Sequence, residues 1–255
     1  MGIIIKSDEE IALMREACRI TARVLNVLTA AVKPGMTTAE LDEIAEREAK
    51  LYGAKPSFKG YRGYPANLCV SVNDEIVHGI PGKRIIKEGD IVSIDFGVVY
   101  KGFQGDSART VPAGVVSEKA KCLLETTAGA LQAGIKAARP GARLGDVTAA
   151  IEEYAESRGC AVVREYTGHG IGRQMHEDPQ VPNSTRSVLG LSRGVGPVLK
   201  KGMTLALEPM LNIGSWETKL DDNMWTVRTR DGSLSAHFED TIAITEGEAE
   251  VLTSI

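Results

Sequence analysis

Apolar residues recur near the helical period between residues 8 and 32, at Ile11, Met14, Ala17, Cys18, Ala22, Val24 and Leu25. This pattern predicts an amphipathic helix starting near Asp8 and ending before Pro34-Gly35. Thr37 or Thr38 can cap a second helix that runs to Gly53. The same reading returns later. Residues 116–138 predict a helix, Pro140-Gly141 stops it, and 146–158 predict another that ends at Gly159. With an offset of 106 the two stretches match position by position. Lys33-Pro34-Gly35 falls on Arg139-Pro140-Gly141, Glu40-Leu41 on Asp146-Val147, Ala49 on Ala155, and Gly53 on Gly159. Two unrelated helical hairpins can share such stops by coincidence. A duplicated half is the alternative, and it would build one domain around an internal pseudo-two-fold axis.

Segments rich in Val, Ile and Thr, bounded by Gly, Pro or Asp, predict strands at 67–72, 90–99, 107–111, 160–163, 204–212 and 237–245. Residues 179–202 have no period and read as a long loop, and such loops in compact domains tend to be functional or mobile. No linker separates two domains. The expectation is one α+β domain over residues 1–255, in halves of roughly 1–112 and 113–255.

Composition narrows the function classes. At 43% hydrophobic and 25% charged, the chain is too apolar for a disordered protein. With 30 basic and 34 acidic residues its formal charge is −4, which argues against a basic nucleic-acid binder. Cys18, Cys69, Cys122 and Cys160 show no CxxC or zinc-finger spacing and suit a reducing compartment. No apolar run approaches the ~20 residues of a membrane span. The opening MGIIIKSDEE is not a signal peptide, and Lys6 stands where a myristoylation motif wants Ser or Thr. The simplest location is the cytoplasm.

The first informative chemistry lies in 90–111, where apolar residues flank Asp95 on its strand and Asp106 follows 11 residues later. A two-residue hairpin turn at Tyr100-Lys101 sets the two carboxylates directly opposite. A turn at Lys101-Gly102 has better turn chemistry and makes the pair diagonal. Either register puts them on one face about 4.5–8 Å apart. Carboxylates that close repel, so one holds a proton or a cation lies between them. The bland alternative makes Asp106 an exposed turn residue and Asp95 a backbone cap.

Further donors follow. In 168–183, Gly168, Gly170 and Gly172 flank His169 and allow close backbone approach. The spacing is not a dinucleotide fingerprint, and His176-Glu177-Asp178 lacks the second His of HExxH. Glu208 ends an apolar strand before Pro209, and Glu239 starts one. Each alone can be structural. Together, Asp95, Asp106, His169, Glu208 and Glu239 offer four carboxylates and one imidazole at strand ends. Two divalent cations would balance that charge, and the oxygen-rich set without sulfur favours Mn, Fe, Co or Zn.

Five ordered motifs carry a resemblance that covers essentially the whole chain: NDEIVHGIPG (73–82), SIDFGVVYKGFQGDSA (93–108), YTGHGIGRQMHEDPQVPN (166–183), GMTLALEPM (202–210) and SAHFEDT (235–241). On these motifs the chain resembles the type I methionine aminopeptidases of the pita-bread metallopeptidase superfamily. The resemblance implies a duplicated fold with helices outside a curved antiparallel sheet. It implies that Asp95, Asp106, His169, Glu208 and Glu239 are the metal ligands, with Asp106 and Glu239 doubly engaged, and that two divalent ions are bound. It implies that His78 and His176 contact the scissile amide and that Tyr61, Tyr64, Cys69 and Trp225 form the methionine pocket. Phe58 and Met175 differ from the Cys and Phe of some relatives, and both substitutions stay apolar.

The implied reaction is removal of an N-terminal methionine from peptides and nascent proteins whose second residue is small. Metal-activated water attacks the first peptide bond, with Glu208 as the proton carrier. The chain's own Met1-Gly2 would meet that rule. The 39-residue spacing from His169 to Glu208 leaves no room for the helical insert of type II enzymes. The start close to the first helix leaves none for an N-terminal zinc-finger extension. A proline-directed relative would carry an extra N-terminal domain and a His where Tyr166 stands. A non-catalytic binding relative would lose ligands that are all here. Partners are expected to be Met-initiated N-termini and, transiently, the ribosome. No nucleic-acid specificity and no membrane are expected, and the chain is expected to be a monomer.

Overall fold

In the computed structural model, residues 2–255 are described; Met1 of the Met1-Gly2 pair lies outside that range. Among the described residues, four α-helices form two hairpins. The first is α1 (Asp8–Ala31) and α2 (Thr38–Leu51), the second α3 (Glu118–Ala137) and α4 (Leu144–Glu156). Their starts follow from capping chemistry. Ser7 accepts from the Glu10 backbone N–H while the Glu10 carboxylate accepts from the Ser7 N–H, so two donors of the first turn are satisfied. Ser117 caps α3 through the Ala120 N–H.

The 106-residue offset persists in the architecture. Ala31 and Ala137 end α1 and α3, and Thr38 and Leu144 begin α2 and α4. The short strands Lys55–Pro56 and Ala161–Val162 follow at the same offset. Thr37 bridges Ile85 as Arg143 bridges Val198. Gly35 donates to the Ile86 carbonyl as Gly141 donates to that of Leu199.

All strand pairing is antiparallel. The main sheet runs Lys55–Pro56, Ile91–Tyr100, Phe103–Pro112, Glu239–Ala243, Thr204–Leu207, Thr167–Gly170, Glu177–Pro182; Cys69–Val72 joins Ile91–Tyr100 and Glu250–Val251 joins Glu239–Ala243. Two three-stranded sheets stand beside it. The first helical hairpin packs Leu25, Leu28 and Leu41 against Val92, Ile94 and Phe96. The second packs Leu131, Val147 and Ile151 against Leu205, Leu207 and Ile242. A Cβ on Gly105 would meet the α1 backbone at Ala17 and Cys18, 2.8 Å away, so glycine sets how closely α1 lies on the sheet. No helix among the described residues is long and apolar enough to cross a membrane.

Three expectations change. The predicted strand 204–212 splits at Glu208-Pro209, because Pro209 has no N–H for the ladder, and Met210–Asn212 pairs in a different sheet. The segment 237–245 divides likewise at Phe238, with Ser235–His237 paired to Met210–Asn212. The loop expected over 179–202 starts later, because Glu177–Pro182 is a strand that hydrogen-bonds to Thr167–Gly170. Its two prolines and a polar composition hid it. The rest of the loop is anchored: the buried Glu152 of α4 accepts from Ser184, Thr185 and Arg186.

Two stability predictions follow. Gly105→Ala costs about 1–3 kcal/mol, because backbone rather than a flexible side chain must yield; chemical denaturation measures it. Burial pushes the Glu152 carboxyl up, but hydrogen bonds from Ser184, Thr185 and Arg186 outweigh it and hold the pKa below the usual value. A depressed folded pKa gives stability that is present above the unfolded pKa and lost as pH falls through the folded one. Glu152→Gln therefore costs about 1–3 kcal/mol at pH 7, and the gap between variant and wild type closes below about pH 4. A pH-independent gap would contradict this.

Candidate metal centre and pocket

The long hairpin resolves the carboxylate register. Tyr100 pairs with Phe103, so the turn is Lys101-Gly102, and both residues take the positive φ that such a turn demands. Gly97 then stands opposite Asp106, and Asp95 opposite Ala108, which makes the pair diagonal on one face. Asp106 is buried rather than an exposed turn residue. Thr241 locks its backbone, accepting from the Asp106 N–H at 3.3 Å and donating to the Asp106 carbonyl at 2.8 Å.

Glu239 arrives from the neighbouring strand, whose Glu239 and Asp240 pair with Ala108 and Ser107. Strand alternation sends the two carboxylates to opposite faces. Asp240 meets the Arg109 guanidinium at 2.6 Å, while Glu239 turns inward. His169 sits in the sheet opposite Ala206, and a Cβ on Gly168 would lie 2.3 Å from the Ala206 carbonyl, so that strand needs glycine to approach. Glu208 occupies the break before Pro209, with Oε1 3.5 Å from His169 Nε2.

One donor atom each from Asp106, His169 and Glu239 lies within 4.8 Å of the others. Asp95 Oδ1, Asp106 Oδ1 and Glu239 Oε1 are buried without a hydrogen-bond partner. Burial pushes all four carboxyls up, and mutual repulsion adds to it for Asp95, Glu208 and Glu239; Asp106 reaches about 7. Orphaned anionic oxygens at this density are what a hard divalent cation satisfies, so the residues fit a metal. The His169 Nδ1 lies 2.9 Å from the Gly170 carbonyl, which can only accept, so Nδ1 carries the proton and Nε2 offers its lone pair. Burial lowers the His169 pKa to about 4 and keeps the ring neutral.

A cavity of about 150 Å³ opens from these donors. Phe58, Tyr61, Tyr64, Cys69, Met175 and Trp225 line it together with His78, His176 and the carboxylates. Every residue singled out from the sequence therefore borders one cavity. Tyr64 is fixed by donating to the Leu68 and Gly79 carbonyls and by an edge contact with Trp225 at 5.1 Å. His176 lies 4.2 Å from His169 ring to ring, and its Nδ1 is 2.8 Å from the Tyr61 hydroxyl. With Tyr61 donating, Nε2 of His176 carries the proton. Burial lowers His176 to about 3, with smaller contributions from His169, Arg62 and His78, and burial lowers His78 to about 4. His78 has a φ of 59°, a strained backbone of the kind that gathers at functional sites.

The pattern of metallopeptidase family M24 matches residues 12–246. The chain belongs to this family. It is 51% identical over 252 residues to the methionine aminopeptidase of Clostridium acetobutylicum, covering 98% of each chain. The crystal structure of methionine aminopeptidase from Thermotoga maritima superposes with a TM-score of 0.96 at 46% identity, covering both chains fully. The prolidase of Pyrococcus furiosus shares the fold with a TM-score of 0.77 at 24% identity, over 99% of this chain and 66% of that one. The M24 chain thus has the pita-bread architecture expected from its motifs, and divalent metal use comes with the family.

Two residues at the centre escaped the sequence reading. Arg62 borders the cavity mouth on an exposed turn and carries no local signal. His237 is buried with Nε2 3.8 Å from Glu208 and 3.9 Å from Glu239. Its signal was there, since it stands two residues before Glu239 and alternate residues of an extended segment share a face.

A thermal-shift titration tests the cluster. Mn(II) at about 100 times its Kd stabilises a one-site protein by about 2.7 kcal/mol, or roughly 5–10 °C at this chain length. Asp106→Ala is expected to lose that shift together with bound metal. Normal metal content in the variant would remove Asp106 from the centre.

Proposed function

We propose that this M24 chain removes the initiator methionine from peptides and nascent proteins whose second residue is small, using two divalent ions held by Asp95, Asp106, His169, Glu208 and Glu239. The observation that carries the reading is a juxtaposition. Partnerless carboxylate oxygens open directly onto an apolar cavity of about 150 Å³ lined by Tyr64, Cys69, Trp225, Phe58 and Met175. Such a cavity suits one flexible thioether chain, which gains sulfur–aromatic contacts there. Identity of 51% to a methionine aminopeptidase, against 24% to a prolidase, favours this over a proline-directed activity.

Divalent ions held by Asp95, Asp106, His169, Glu208 and Glu239 would lower the pKa of water and act as a Lewis acid toward a carbonyl. The protein's own groups do the rest. Glu208, at the strand break beside His169, takes the water's proton and returns it to the leaving amine. His176, held by Tyr61, donates from Nε2 to the developing oxyanion. His78 contacts the nitrogen of the bond that breaks. A pocket closed by aromatic rings favours Met over shorter side chains by about 1–3 kcal/mol per missing methylene. Newly made N-termini as substrates place the work in the cytoplasm, in passing contact with the ribosome, and a monomer suffices because one chain supplies every group.

The test strips the protein of metal and resupplies Mn, Fe, Co or Zn separately with Met-Gly and X-Pro peptides. Free methionine released only when metal returns is the expected result, and cleavage before proline would transfer the chain to the proline-directed activity. His176→Ala is expected to lower kcat by about 10²–10³ while metal content stays normal.

A further inference from the structure

His237 is a buried polar side chain that the proposed reaction leaves without a task. It is 1% exposed, and its Nε2 has no hydrogen-bond partner. A buried polar atom left without a partner is destabilising, a cost that an apolar residue of similar size would avoid. The backbone beneath the ring is fixed. Thr110 Oγ1 donates to the His237 carbonyl at 2.8 Å and accepts from its N–H at 2.9 Å, and Ser93 Oγ lies 2.8 Å from the same hydroxyl. Met210 pairs with it across the strand. The ring is thus aimed at two carboxylates, with Nε2 at 3.8 Å from Glu208 Oε2 and 3.9 Å from Glu239 Oε2. A hydrogen bond needs about 2.9 Å, so roughly 1 Å separates the donor from either acceptor, within the rotation of a carboxylate on a glutamate stem.

We infer that His237 is a positioning residue of the metal centre, whose Nε2–H donates to the carboxylates of Glu208 and Glu239 in the metal-loaded protein. Groups that hydrogen-bond behind metal ligands orient them, and their loss typically costs about 10–100-fold in affinity. Here the donor reaches one residue assigned to proton transfer and one assigned as a shared ligand, so it ties their orientations together. This role rests on the ligand set proposed above.

Calorimetric titration of the metal-free protein with Mn(II) tests it. His237→Leu removes the donor and keeps the volume; it is expected to bind Mn(II) about 10–100-fold more weakly while its metal-free melting temperature does not fall. His237→Gln places an amide donor at similar reach and is expected to return affinity to near wild type. Wild-type Mn(II) affinity in His237→Leu would overturn the inference. If His237→Leu does not fold, His237→Asn replaces it: its shorter amide falls short of the carboxylates and must weaken binding where His237→Gln does not. Asp106→Ala, titrated alongside, separates the two readings. Undiminished affinity there sinks the ligand set, and with it this role. Weakened affinity there, with His237→Leu unchanged, sinks the role of His237 alone.

Discussion

Four carboxylates on one cavity, Asp106 and Glu239 buried and Asp95 and Glu208 half-buried, are the constraint on which this structure turns. Burial raises the carboxyl pKa of Asp95, Asp106, Glu208 and Glu239, and repulsion from neighbouring carboxylates adds to it for Asp95, Glu208 and Glu239. A chain free to relax would separate them or expose them to water. The sheet prevents both. Asp95 and Asp106 are tied through the long hairpin ladder, Glu239 through its pairing with Ala108, and His169 through its pairing with Ala206. Helices on the outside keep those strands together, so the stabilisation supplied by two hydrophobic clusters is partly consumed in holding like charges at close range.

Local chemistry supports the strain. Asp106, Glu239 and Glu208 each have a neighbour that fixes the backbone, takes the alternate face or ends the strand. Thr241 clamps Asp106, and Arg109 neutralises Asp240 so that only Glu239 points inward. Pro209 ends the Thr204–Leu207 strand, which frees Glu208 from the ladder while leaving it at the rim. At the other end of the cavity the chemistry reverses. Tyr64, Trp225 and Cys69 continue into the cluster of Met14, Cys18 and Phe103, so the pocket wall is also core. The shape of the cavity and the stability of the fold therefore draw on the same residues.

How much of this was legible depended on periodicity. Both helical hairpins were readable because apolar spacing and Pro-Gly stops are local signals, and the repeat at 106 residues added a constraint that neither hairpin carries alone. The Asp95–Asp106 face was readable to within one register, because a two-residue turn admits only two pairings and Gly102 favours the one observed. Strand breaks at Glu208 and Phe238 were not readable, since the residues around them stay apolar while the chain changes sheet. Glu177–Pro182 was hidden because its side chains are polar and its backbone partners lie across the sheet. The candidate site itself came from five motifs read together; no single histidine or glutamate among them was distinctive. His237 shows the limit of that approach, as a residue inside one of those motifs whose surroundings emerge only when two strands meet.

The joint between the two halves of the main sheet is narrow: Phe103–Pro112 meets Glu239–Ala243 through Ala108 with Glu239 and Ser107 with Asp240. Parted there, each half would present a strand edge with unpaired donors and acceptors, a template that seeks another strand.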